Sequence, residues 1–155
     1  MNENKGKLYV IGIGPGSLEE MSIRAKNAIE ESDIIVGYTK YIELIKPLIN
    51  GKKVFSTGMM GEIERVKYAL SESKDKVVSI ISTGDAGIYG MAGPILEMGE
   101  DEDIIVIPGI TAASSAASLL GAPLMHDNCN ISLSDLLTPY EVIKIGLNVR
   151  PRGIL

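Results

Sequence analysis

The chain has 155 residues and a net charge of −5, with 45% hydrophobic but only 5% aromatic residues. That length suits one domain or part of a larger protein, and the acidic balance excludes the basic stripe of a general nucleic-acid-binding surface while leaving room for a local basic patch. A single cysteine, Cys129, rules out an internal disulfide framework and a cysteine-rich metal site.

The polar amino terminus (Asn2, Glu3, Asn4, Lys5) runs straight into an apolar segment, so no secretory leader is expected. Lys7–Ile13 reads as a first strand. A helix follows from about Ser22, with Met21, Ala25, Ala28, Ile29 and Ser32 on one stripe. Asp33–Val36 is a short buried strand ending at Gly37. Tyr38–Ile49 is a helix whose end Pro47 shortens or distorts. After a third strand at Lys53–Ser56, Gly61–Ser73 reads as a surface helix. Ile63, Val66 and Leu70 point inward there, with Glu62, Arg65 and Lys67 toward water.

Val77–Ser82 is apolar enough to be a central strand covered on both faces. Ile88–Met98 is helical, with Gly93-Pro94 as a weak point. Asp103–Ile107 is a fifth strand, and Thr111–Leu120 is a helix of small residues capped by Thr111. The run Ile110–Met125 is broken by serines, Gly121 and Pro123, so nothing here spans a membrane, and the expected compartment is the cytoplasm. Alternating strands and helices predict an α/β fold: a five-stranded, mainly parallel sheet with helices on both faces. The domain layout expected is 1–125 for this unit, 126–143 for the start of a second one, and a tail at 144–155.

Three glycine-bearing loops follow three of the strands: Gly12-Ile13-Gly14-Pro15-Gly16, Thr83-Gly84-Asp85-Ala86-Gly87 and Pro108-Gly109-Ile110-Thr111. Ligands of open α/β sheets bind at the carboxyl ends of strands, and glycine lets them approach the main chain. The first loop is a poor dinucleotide fingerprint. Its third glycine is replaced by Ser17, Pro15 removes a donor, and the second strand ends at Gly37 with no acidic residue for a ribose. Asp85 can accept from a ribose, or it can simply make an Asx turn or cap a helix starting near Ile88. His126, the sole histidine, has no partner at metal-ligand spacing, and Cys129 has no activating neighbour and reads as an inert thiol.

The loops in this order, GIGPG, TGDAGIYG and PGITAASS, resemble the tetrapyrrole methylase family. VGYTKY at Val36–Tyr41 and ISLSDLLTPYEVI at Ile131–Ile143 narrow the resemblance to the branch that methylates C-17 of precorrin-3B and contracts the ring in cobalamin synthesis. The resemblance implies S-adenosylmethionine as methyl donor and S-adenosylhomocysteine as product, a cleft between two α/β domains, and a homodimer. It implies cofactor contacts from Pro15, Thr83, Gly84, Asp85, Ile88, Thr111 and Ala112, and a substrate side near Gly14, Tyr38 and Ser132. No metal site is implied, and no acid or base is assigned. Uroporphyrinogen methylases carry an aspartate after the second strand that is assigned as a base, where this chain has Tyr38. A polycarboxylate substrate calls for local basic residues, for which Lys40 and Arg24 are candidates.

The resemblance ends near Ile143, where family members continue into a second domain; the tail from Lys144 has Gly146, Pro151 and Gly153 and no helical stripe. With permitted codons its next frame resembles the missing helix and strand, so a one-base slip near codon 144 is one expectation and a minimal or split protein the other. Three further readings stand beside the leading one: a methylase of the same fold acting on protein or ribosomal RNA, a non-enzymatic half that pairs with a separate chain, and a nucleotide-binding domain.

Overall fold

The computed structural model describes residues 6–100, 102–122, 124, 128, 130–132, 139–142 and 144. His126, Cys129 and nearly all of the 144–155 tail lie outside them. Two compact units divide within the last helix, 1–115 and 116–155, ahead of the boundary at residue 125 drawn from the sequence.

In the first unit the strands are β1 (Lys7–Gly12), β2 (Ile34–Tyr38), β3 (Lys53–Thr57), β4 (Val77–Ser82) and β5 (Ile104–Ile107). They form one sheet in the order β3-β2-β4-β1-β5, and every pairing is parallel. The α/β expectation is met. The three central strands are buried on both faces, which is why they read as largely apolar runs.

The helices are α1 (Ile23–Glu31), α2 (Thr39–Leu44), α3 (Glu62–Glu72), α4 (Ala92–Met98) and α5 (Ala112–Leu120). Alternate residues of each strand feed two cores. Tyr9, Ile11, Ile35 and Ile81 pack with Ala25, Ala28 and Ile29 of α1 and with Ile45 and Ile49 after α2. Leu8, Val10, Val36 and Ile80 pack with Val66, Ala69 and Leu70 of α3 and with Ala92 and Ile95 of α4. Burying each such Ile or Leu stabilises by about 1.5–3 kcal/mol, so these two layers hold the unit.

Local chemistry sets the helix limits. The Ser22 hydroxyl accepts from Ala25 N–H at 3.1 Å and starts α1. The helix after β2 ends at Leu44, and Pro47 sits in a separate 3-10 turn at Lys46–Leu48. Thr111 Oγ1 accepts from Ser114 N–H at 3.1 Å and caps α5. In the second unit, α5 ends on Gly121 (φ +61), with Ala122 N–H reaching Ala117 O at 2.9 Å. Glycine fits there because this left-handed ending costs it no Cβ clash.

Two expectations fail. The α4 helix begins at Ala92, not Ile88, because residues 83–91 curl back on themselves: Ala92 N–H reaches Ala86 O at 2.9 Å, and Met91 N–H reaches Ser82 Oγ at 3.1 Å. On α3 the faces are rotated: Ile63 is 54% exposed and Arg65 only 4%. Ala69 and Ser73 belong to the inner stripe and pull its centre toward Arg65. Among the described residues no helix is long and apolar enough to cross a membrane.

Candidate functional site

The chain leaves β1 and β2 for one face of the sheet, that of α1 and α2. It leaves β4 for the other, that of α4. Since β4 lies between β1 and β2, a topological switch point flanks it on either side. Open α/β sheets bind ligands at such crevices, and the two here are built differently.

The β1/β4 crevice is closed by main chain. Gly14 N–H donates to Gly84 O at 3.1 Å, and Gly84 N–H donates to Gly14 O at 2.7 Å. A third loop is pressed in beside them: a Cβ on Gly109 would lie 2.2 Å from Gly84 O and 2.6 Å from Gly12 O. Asp85 ties the loops together. Its Oδ1 accepts from Gly87 N–H at 2.7 Å, an Asx turn, and its Oδ2 accepts from Gly109 N–H at 2.9 Å. The carboxylate is therefore a brace between the β4 and β5 loops, and it caps no helix at Ile88. Gly84 adopts φ +64, and its Cα side faces Thr111 and Ala112, whose backbone atoms would lie 3.7 and 3.8 Å from an added Cβ. Ser115 Oγ donates to Glu20 Oε1 at 3.2 Å and fastens α5 to the β1–α1 connection.

The β2/β4 crevice opens into a cavity of about 250 Å3. Tyr38, Tyr41, Met59, Arg65, Thr83 and Tyr89 are among its walls. Tyr38 and Tyr41 meet edge to face, with ring centroids 5.1 Å apart. Tyr89 has a left-handed backbone (φ +54) and is 66% exposed. Non-glycine residues hold that conformation only when their surroundings impose it, and such residues cluster at functional sites.

The residues singled out from the sequence thus fall into groups. Gly14, Gly84, Asp85, Thr111 and Ala112 are interlocked at the loops. Tyr38 and Thr83 line the cavity. Pro15 is half-buried beside Gly14, and Ile88 is 44% exposed on the β4–α4 loop. Ser132 is half-buried in the second unit. Arg24 borders a different hollow, with Tyr9, Ile105 and Ile107, and Lys40 is exposed on α2. Sequence reading missed Tyr41, Met59, Arg65 and Tyr89 as cavity residues. The available signal was Arg65 within the α3 stripe. Among the described residues no group of three His, Cys, Asp or Glu is placed to hold a metal.

These features define a doubly wound α/β domain whose strand ends carry a glycine-rich main-chain cradle. The chain belongs to the Tetrapyrrole (Corrin/Porphyrin) Methylases, whose family model matches residues 7–146. It is 51% identical over 149 residues to a cobalt-factor III methyltransferase of Priestia megaterium, covering 90% of this chain and 28% of that protein. It is 52% identical over 142 residues to a probable cobalt-factor III C(17)-methyltransferase of Salmonella typhimurium, covering 88% of this chain and 59% of that one. Among solved structures the methyltransferase CobJ superposes with a TM-score of 0.83 at 35% identity, over 92% of this chain and 62% of that one. The chain therefore spans less than two thirds of the length of these relatives.

Proposed function

We propose that this chain supplies the N-terminal domain of a methyltransferase that carries the methyl group of S-adenosylmethionine to C-17 of a cobalamin-precursor tetrapyrrole with ring contraction, releasing S-adenosylhomocysteine. The observation that carries this reading is the interlocking of the three glycine loops at a switch point, in a chain about half identical to proteins named as cobalt-factor III methyltransferases. The cradle fits a cofactor held mainly through backbone. Gly84 lacks the Cβ that would fill the space toward Thr111 and Ala112, and the Asp85 carboxylate is already engaged by amides.

Pro15, Thr83, Gly84, Ile88, Thr111 and Ala112 would hold the cofactor, with Asp85 fixing the loops that carry them. Gly14, Tyr38 and Ser132 would face the tetrapyrrole. Bound S-adenosylmethionine supplies a methyl group already activated on sulfur. The protein's task is then alignment, which is worth up to about 7–11 kcal/mol when the reacting atoms are held in place. The braced loops serve it. We take 1–125 as the cofactor-side domain and 126–143 as the lead into a second one. The working enzyme is a cytoplasmic homodimer with two-domain subunits.

A cleft with one wall binds poorly. Calorimetry on this chain alone is expected to show weak or undetectable S-adenosylmethionine binding. Fusing it to the C-terminal portion of the Salmonella relative is expected to restore binding and methyl transfer to a cobalt-containing tetrapyrrole. Tight binding by the chain alone would overturn the two-wall account, and transfer to RNA or protein instead of the tetrapyrrole would overturn the substrate.

A further inference from the structure

The cavity on the β2/β4 side contains a feature that the cofactor reading does not use. Arg65 is 4% exposed and sits in its wall. Its Nη1 donates to Thr57 Oγ1 and, at 3.1 Å, to Gly58 O, while Nη2 donates to Glu62 Oε1 at 3.1 Å. Among the described residues these bonds engage three of the five N–H donors a guanidinium carries. Among the described residues Glu62 is the only other charged one lining the cavity, and its side chain is 50% exposed. The pair is thus asymmetric. The cation is held and buried, and the anion is half exposed to water. A buried cation opposite a removable carboxylate is a receptor for another carboxylate, because a guanidinium donates charge-assisted hydrogen bonds to such groups.

The surroundings suit a carboxylate on a large conjugated body. Tyr38 and Tyr41 supply aromatic wall, and Met59 and Met91 supply adaptable apolar surface. Arg65 also shapes this rim. It holds the Thr57–Gly61 turn, in which Met60 has φ +64 and Met59 stands 81% exposed. The turn admits only glycine at 61, since a Cβ there would lie 2.1 Å from Thr57 Oγ1.

We propose that Arg65 receives a carboxylate arm of the tetrapyrrole substrate, with Glu62 as the resident anion that the arm displaces. This rests on the tetrapyrrole reading above. Titrating the two-domain fusion described above with uroporphyrin, followed by porphyrin fluorescence, tests it. The comparison ligand is the same ring with its carboxyls capped as neutral glycol amides.

Arg65→Gln is expected to weaken uroporphyrin binding about tenfold, the loss of one charge-assisted hydrogen bond to a carboxylate. Glu62→Gln is expected to strengthen it about threefold, a smaller gain because the pair is partly screened. The capped ligand should respond to neither change. Glu62 is half exposed, so its variant reports even if Arg65→Gln fails to fold. Wild-type binding that both variants leave unchanged, or a Glu62→Gln variant that binds uroporphyrin more weakly, overturns the receptor and spares the tetrapyrrole reading. No binding of either ligand by any form overturns both.

Discussion

The two crevices beside β4 share a strand and differ in how they are closed. On the β1 side, backbone meets backbone: Gly12, Gly14 and Gly109 are packed too closely for side chains, Gly84 takes a left-handed backbone, and Asp85 ties the loops through amides. On the β2 side, side chains form the walls, with a buried arginine and three tyrosines around a cavity. The contrast divides labour. A rigid main-chain edge presents small groups to a ligand with little rearrangement, while a side-chain pocket can discriminate among ligands by charge and shape. Pre-organised backbone costs nothing at the moment of binding, whereas long side chains lose rotamer freedom.

The largest test of that contrast is steric. Gly109→Ala puts a Cβ 2.2 Å from the Gly84 oxygen of the β4 loop and 2.6 Å from the Gly12 oxygen at the end of β1, and both opponents are backbone atoms. Overpacking of this kind costs about 1–3 kcal/mol or more, and fixed backbone opponents place Gly109→Ala at the upper end. Gly84→Ala is the control. Its nearest neighbour is 3.7 Å away, so only the left-handed φ of +64 is penalised, at about 1–2 kcal/mol. Thermal unfolding should show Gly109→Ala losing clearly more than Gly84→Ala. Equal losses would mean that the loops are not wedged together.

Next in size is the brace. Asp85→Ala leaves the Gly87 and Gly109 amides without their acceptor, a loss of about 1–3 kcal/mol for a buried donor and less where water reaches it. Amide exchange at Gly109 is expected to speed up markedly, while exchange within β3 and α3, around the cavity, stays unchanged. Faster exchange spread evenly over both crevices would show that they form one cooperative unit and are not separate devices.

Legibility from sequence followed the same division. Val77–Ser82 was read with its observed bounds because a strand buried on both faces is a mostly apolar run, here broken only by Ser79 before it ends on Ser82. The three loops were read as one site because glycines at strand ends are visible as residue types. The cavity was visible only at Tyr38 and Thr83. Arg65 was assigned to water because Ile63, Val66 and Leu70 make an acceptable stripe on their own. Its burial depends on a turn with Met60 at φ +64, a conformation that no local propensity announces. The start of α4 was misplaced for a related reason, since hydrogen bonds from Met91 to Ser82 and from Ala92 to Ala86 outweigh the helical pattern from Ile88.

The smallest expected effect lies at the opposite end of β1. Lys7 Nζ donates to Glu31 Oε1 at 3.0 Å and to Tyr9 OH at 3.2 Å, and Tyr9 OH donates to Glu31 Oε2 at 2.8 Å. The bond from Lys7, followed by that from Tyr9, holds the Glu31 carboxyl below its ordinary value; bonding to Glu31 and then Tyr9 holds the Lys7 ammonium above its own. The Glu31 contribution is present above pH 4.5 and is lost as pH falls through its depressed folded value. The Lys7 contribution is complete below pH 10.5 and is lost as pH rises through its raised one.

The Glu31 side chain is 48% exposed, so solvent screening keeps the cluster near 0.5 kcal/mol. Melting curves at pH 7 and pH 3 should therefore show Glu31→Gln narrowing the wild-type difference by only about 1–2 °C, given roughly 2–4 °C per kcal/mol for a chain of this size. Porphyrin affinity at fixed pH 7 is expected to be the same in the two proteins. A change in that affinity would show that the foot of β1 communicates with the β2/β4 cavity, and would break the separation drawn between the two sides of β4.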